Sequence, residues 1–329
     1  MPVKTFPLGF PWDTPDPFLF CVHHLDRFPE GNENMGPKAS LAGRLLGNDF
    51  TLRDGWRMYH GRTVPGFPAH PHCGFETVTL VTQGFCDHSD SLGAAARFGQ
   101  GDAQWITTGK GLQHSEMFPL RNPDAPNTLE LFQIWLNLPA RSKHVAPYFQ
   151  MLWKESLPDL RQEGCRVRLV AGHFSGQNAP SPPPDSWASD PNNHVTIGLI
   201  DLEPSGSITL PAIPEGVNRR VYLFEGGQAT VRDTALSAGH GADPGREETT
   251  ITAGDSPCRL LWLQGRAISE PVAKYGPFVM NRPEEIEAAL ADFRRTEFGG
   301  WPWDRPDPVH AREKGRFALF PDGKEVVKA

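Results

Sequence analysis

The sequence lacks the marks of several large functional classes. Five cysteines are scattered over 329 residues, at positions 21, 73, 86, 165 and 258. Their number is odd and no C-x-x-C occurs, so neither a disulfide scaffold nor a cysteine-based zinc site is expected. No apolar run approaches the ~20 residues that cross a bilayer. Prolines at 2, 7 and 11 interrupt the stretch where a secretory signal would need a continuous apolar core. Basic charge is scarce: 32 Lys and Arg against 39 Asp and Glu give a net charge of −7. Such a chain is a poor candidate for gripping nucleic acid directly, and it has no basic amphipathic face for a membrane surface. The expected compartment is cytoplasmic. The glycine loops of nucleotide-binding proteins, the G-x-S-x-G elbow and the H-E-x-x-H helix are also missing, which sets aside those enzyme classes.

Turn formers, in contrast, are plentiful. Gly and Pro number 33 each, about a fifth of the chain. Helical periodicity is rare. It is clear at 283–295, where Pro283 suits the first helical position, Glu284 and Glu285 suit the positive dipole end, and Ile286, Ala289, Leu290 and Phe293 form an apolar stripe. A second short helix is expected over 154–160. Strand patterns dominate: Thr77–Val81, Leu129–Leu138, Val167–Ala171, Val195–Leu202, Ser207–Leu210, Arg220–Phe224 and Arg259–Leu263. Many short strands and one late helix read as an all-β protein of barrels or sandwiches. The polar, Pro-rich stretch 173–193 is a linker or a long loop. The expected division is 1–145, 146–280 and a helix with tail at 281–329.

Of the 12 histidines, two clusters stand out: His70-Pro71-His72 and His114-Ser115-Glu116. On a strand, residues i and i+2 face the same way, so each pair presents two donors in one direction. Pro71 confines its strand to an edge or a strand start. A two- or three-hairpin path separates the clusters, long enough to bring them opposite each other in one barrel. Three imidazoles and a carboxylate suit a divalent first-row metal (Fe, Mn, Ni, Cu or Zn) with open positions, and disfavour Ca²⁺ or Mg²⁺. Each lone pair also has a plainer reading as surface or packed histidine. His23 and His24 are adjacent and must face opposite sides. His60 and His88 either line the mouth of the site or are solvated. Between His194 and His240 no histidine occurs, and Arg219-Arg220 stands where ligands would sit, so the second half is expected to hold no metal.

The segment Phe67-Pro-Ala-His-Pro-His-Cys-Gly-Phe-Glu-Thr-Val-Thr79 resembles the first signature of the pirin family within the cupin superfamily. Gly101-Asp-Ala-Gln-Trp-Ile-Thr-Thr-Gly-Lys-Gly-Leu-Gln-His-Ser-Glu-Met117 resembles the second, and Asp87-His-Ser-Asp-Ser-Leu-Gly93 and Gln133-Ile-Trp-Leu-Asn-Leu-Pro139 match in kind. The resemblance implies a bicupin: two β-barrels or jelly rolls, a metal-binding one over 1–145 and a metal-free one over 146–280. It implies Fe(II) on His70, His72, His114 and Glu116. Glu76 then lies behind the ligands, orienting an imidazole. The implied activity is that of a quercetin 2,3-dioxygenase, an oxidoreductase taking a flavonol-like substrate and dioxygen, with Glu116 accepting the substrate's hydroxyl proton. The alternative is a metal- or redox-dependent regulatory protein that binds a protein partner. Two positions depart from the family pattern: Cys73 and Lys110 stand where arginine is usual. Cys73 is either an oxidisable neighbour of the metal or a packed thiol. The tail with Trp301-Pro-Trp303 is either a docking patch or turn and packing.

Overall fold

A computed structural model describes residues 3–328. It is an all-β structure with one α-helix among the described residues. The chain divides into two compact units: one holds residues 23–133, 140–154 and 270–329, and the other the residues up to 22 with 134–139 and 155–269. Every strand expected from the sequence forms, most of them a residue or more longer than the pattern suggested.

The strands lying wholly or for the most part in the first unit are β1 (Phe18–Phe28), β2 (Gly66–His72), β3 (Phe75–Gln83), β4 (Phe85–Asp90), β5 (Ala95–Gly99), β6 (Ala103–Thr107), β7 (Leu112–Met117), β8 (Asn127–Asn137) and β9 (Tyr148–Leu152). One sheet runs β9-β6-β3-β8-β1, and the other places β5, β4, β7 and β2 side by side. Alternate residues of each strand point between the sheets. Val81, Ile106 and Phe149 from the first thereby meet Ala96, Phe98 and Leu112 from the second in one dry core. The β4–β5 hairpin closes through Asp90, whose Oδ1 accepts the amides of Leu92 and Ala94 at 2.9 Å each. Gly93 supplies the positive φ this turn requires.

The second unit repeats the plan. Its seven-stranded sheet contains β10 (Cys165–Ala171), β11 (Thr196–Leu202), β12 (Val217–Gly226) and β13 (Cys258–Arg266), and a four-stranded sheet covers it. Ile200, Val221, Leu260 and Trp262 pack on Ile208 and Ile251 from the opposite sheet. The Pro-rich stretch 173–193 is a loop of this unit, with a two-residue hairpin and two 3-10 turns.

The chain then returns to the first unit. Helix α1 (Pro283–Thr296) starts where its sequence signals place it. Glu285 Oε2 accepts the amides of Asn281 and Arg282 at 3.0 and 2.9 Å, and Ile286 and Ala289 bury against Cys73, Phe278 and Met280. The helix expected over 154–160 does not form. Only a 3-10 turn at Lys154–Ser156 is present, followed by a strand at Asp159–Gln162. Pro158 disfavours helical backbone at Leu157 and removes a donor, which stops the turn from extending.

Strands β14 (Arg316–Leu319) and β15 (Glu325–Lys328) extend the sheet at β5. A buried clamp fastens this tail. Arg97 on β5 faces Asp87 on β4 and grips it with Nε at 2.6 Å and Nη2 at 2.7 Å. Its remaining N–H groups reach the carbonyls of His310, Ala311 and Lys314. All five donors of a fully buried guanidinium are thus used. Trp301 and Trp303 donate to the carbonyls of Arg305 and Asp90 at 2.8 and 2.9 Å, so they serve turn and packing. Among the described residues no helix is long and apolar enough to cross a membrane. Arg97→Met should cost about 3–5 kcal/mol, because it strands the Asp87 charge in the interior. Denaturant unfolding would measure that loss, and limited proteolysis should show cleavage near 310–314 that the parent resists.

Candidate metal centre

Strands β2 and β7 pair antiparallel with His70 opposite His114 and Phe67 opposite Glu116. Strand β2 is the last strand of its sheet, which is where Pro71 can be accommodated. Alternation brings His72 to the same face as His70. The ring centroids of His70, His72 and His114 lie 4.6 to 4.8 Å from one another. One ring nitrogen from each falls within 4.8 Å of the other two, so the three can share an ion. His70 Nδ1 contacts the Pro68 carbonyl at 2.9 Å, which leaves Nε2 for the cluster. His72 bonds the backbone of Pro277. Both ring nitrogens of His114 are buried without a hydrogen-bond partner among the described residues. Burial pushes His70 down to about 4 and holds His72 and His114 well below the ordinary imidazole range, and neighbouring imidazoles add to the effect. All three are therefore neutral near pH 7, with lone pairs exposed to a cation.

Glu116 is buried beside them, and its Oε2 lies 3.8 Å from His114 Nε2. Thr79 Oγ1 donates to its Oε1 at 2.9 Å, and Gln133 Nε2 donates to its Oε2 at 3.3 Å. Burial raises its pKa, against the pull of the Thr79 hydroxyl. The sequence pattern did not single out Thr79 or Gln133. Alternation along β3 would have placed Thr79 inward, but which acid it meets depends on the pairing of distant strands.

Glu76 is placed elsewhere. It pairs with Thr107 across β3 and β6 and accepts that hydroxyl at 2.6 Å. It stands three positions before Thr79, so it lies on the opposite face of the strand. Cys73 is a packed thiol, its Sγ 3.5 Å from the Gly109 carbonyl, and burial pushes its pKa up to about 12. Lys110 is exposed. His23 and His24 diverge as expected, to Glu130 at 3.2 Å and to the Tyr59 hydroxyl at 2.8 Å. His60 stays on the surface, with Nδ1 at 2.8 Å from the Gly47 carbonyl.

His88 departs from the solvated reading. It is wholly buried, stacks on Phe149 with centroids 5.3 Å apart, and lies 5.5 Å from the His114 ring. Its Nε2 meets Asp90 Oδ2 at 3.0 Å. The register puts His88 opposite Glu116 and Asp90 opposite His114. The i, i+2 spacing of His88 and Asp90 was the available signal for this arrangement. On the other side, Phe67 lies 6.3 Å from the His70 ring and packs on Tyr59 at 5.1 Å. Three neutral imidazoles and an adjacent carboxylate in a buried setting fit a divalent first-row ion with positions to spare.

The Pirin family profile matches residues 42–136, and the profile of the Pirin C-terminal cupin domain matches 199–299. A pirin-like protein of Solanum lycopersicum is 34% identical over 233 residues, covering 70% of this chain and 75% of that protein. The chain belongs to the pirin family. A pirin-like protein of Caulobacter vibrioides is 35% identical over 235 residues, covering 71% of this chain and 80% of the relative. The crystal structure of a quercetin 2,3-dioxygenase from Acinetobacter baumannii superposes with a TM-score of 0.69 at 29% identity, covering 87% of each chain. Both units of this pirin-family chain are therefore cupin domains, and the clamped tail after 299 lies outside both profile matches.

Beside the pirin histidines, a buried network links Asp26, Tyr59 and His24. Tyr59 donates to Asp26 Oδ2 at 2.5 Å, and Arg57 Nη1 reaches Oδ1 at 3.2 Å. Burial, with the Arg57 charge nearby, lowers His24 to about 3. Burial raises Asp26 to about 6 in spite of Tyr59 and Arg57. From about 3 to 6.5 the unfolded chain holds a proton on His24 that the native protein lacks, so this group makes stability rise with pH through that window. Asp26 acts oppositely: its contribution is present below 3.8 and is lost as pH rises to about 6. His24→Gln should flatten the acid limb of the stability profile and Asp26→Asn should steepen it. Denaturant unfolding across that range checks both, and profiles coincident with the parent would refute the assignment.

Proposed function

We propose that this chain is a metal-dependent dioxygenase that opens a flavonol-type ring, with Fe(II) held by His70, His72, His114 and Glu116. The carrying observation is the convergence of three neutral imidazole nitrogens within 4.8 Å, with the Glu116 carboxylate beside His114. The solved quercetin 2,3-dioxygenase neighbour supports the substrate class. When bound, the ion supplies a Lewis-acidic, one-electron-active centre for the substrate oxygen and dioxygen. The protein's own groups do the rest. Glu116, anchored by Thr79 and Gln133, receives the substrate hydroxyl proton on Oε2. The Thr79 hydroxyl stabilises the carboxylate before transfer and keeps it oriented. Phe67 offers an apolar face beside His70 for an aromatic ring. Zn, Mn, Ni or Cu on the same donors is the alternative that metal analysis distinguishes. Neither a membrane nor direct nucleic-acid contact enters this reading, and the compartment we assign is the cytoplasm.

A second reading is a regulatory protein whose protein partner responds to the metal's redox state. It is favoured by the second cupin unit, where the described residues contain no metal-ligating cluster.

The iron-loaded protein, incubated aerobically with quercetin, should consume oxygen and release carbon monoxide; absence of both would overturn the enzymatic assignment. Glu116→Gln should lower that rate by roughly 10²–10⁴-fold. His70→Ala should weaken metal affinity at least ~10-fold, while the metal-free melting temperature stays near the parent's. Metal competition against a chromophoric chelator gives the first value and calorimetry the second.

A further inference from the structure

The four donors assigned to the metal all stand on one sheet. His70 and His72 are on β2, His114 and Glu116 are on β7, and the two strands are neighbours. They fall into three successive rows: His72 level with Leu112, then His70 with His114, then Glu116. An ion held by them is covered by protein on that side. Any position it keeps open faces the other sheet, roughly 10 Å away across the interior.

Strand β3 belongs to that facing sheet, and its inward residues can be set against the same rows. Phe75 packs on His72, with ring centroids 5.1 Å apart. Thr79 Oγ1 donates to Glu116 Oε1 at 2.9 Å. Thr77 stands between these two on the same face. Its cross-strand neighbour Ile106 belongs to the dry core, which fixes that face as the inner one. The Thr77 side chain is thereby set opposite the middle row, that of His70 and His114. Thr77 is only 1% exposed, and its Oγ1 has no hydrogen-bond partner among the described residues. Two other interior atoms share that condition, Gln104 Oε1 and His88 Nδ1. Their cross-strand partners are Thr79 and Glu116, so both belong to the Glu116 row and not to that of His114.

A buried hydroxyl without a partner is costly, and valine has nearly the same shape without that cost. A lone donor kept here, on the side to which the histidines leave the ion open, suits an acceptor brought from outside. We propose that Thr77 is a ligand-binding residue of the metal centre, its hydroxyl donating a hydrogen bond to the small molecule that takes the ion's open position. The ligand class it matches is a small anion or polar molecule that offers a lone pair to the hydroxyl while another atom pair holds the ion. Hydrogen bonds to a charged acceptor are the stronger kind, so anions gain most. The two threonines of β3 then divide the work: Thr79 secures the carboxylate and Thr77 the guest. This inference rests on the metal-site reading above and not on flavonol chemistry.

The test uses the full-length protein loaded with Co(II), whose visible absorption reports changes at the ion, and azide as the probe. Azide should shift the spectrum of the parent. In Thr77→Val the azide dissociation constant should rise roughly 10-fold, the size of one hydrogen bond to a charged group. Co(II) affinity against a chromophoric chelator should stay at the parent's value. The metal-free Thr77→Val protein should melt at or above the parent, because an unpaired buried hydroxyl is gone. Thr77→Ser keeps the hydroxyl and should keep azide affinity. The proposal is overturned if Thr77→Val binds azide as the parent does, if the Co(II)-loaded parent takes no azide, or if Thr77→Val loses Co(II), which would make Thr77 a support of the donors. A parent that takes up no Co(II) at all overturns the metal centre itself, a result distinct from each of these. None of the readouts depends on oxygenase activity.

Discussion

The register between β2 and β7 is the constraint on which the site depends. Side chains alternate with a period of two, so a slip of one residue would turn His70 and His72 away from His114 and expel Glu116 from its pocket. The backbone hydrogen bonds of the pair and the inward packing of Leu112 hold that register. The tail adds to it from a distance: Arg97 fixes Asp87 on β4, and β4 is the neighbour that keeps β7 in place. Donor geometry here follows from ordinary sheet pairing, with the dry interior keeping the imidazoles uncharged.

Much of this was legible in the sequence. The strands announced themselves by alternation, α1 by its proline, acids and apolar stripe, and the histidine pairs by their spacing. What the sequence could not carry was the partner of each residue. Alternation alone puts Glu76 and Thr79 on opposite faces of β3, but only the structure shows that one meets Thr107 and the other Glu116. Whether His88 lines the site or meets solvent was not legible, because polarity alone says nothing of what covers a side chain; Phe149 and His114 cover it. The false helix at 154–160 was a local error, since Pro158 was there to be weighed.

The two cupin units use one architecture for different electrostatic ends. In the first, four inward groups can meet a cation: three are neutral imidazoles and one is an acid held by hydroxyl and amide donors. In the second, the inner face carries Arg219 Nη1 and Trp262 Nε1, buried donors without an acceptor among the described residues. The same barrel interior thus presents electron pairs in one unit and N–H groups in the other.

Asp90 gives the first unit an unusual economy. One oxygen shapes the β4–β5 hairpin through two backbone amides, and the other steadies His88 against the histidine cluster. Loop shape and site chemistry therefore share a single carboxylate. Exchanging this hairpin for another of equal length would detune the histidines even if every strand refolded in place.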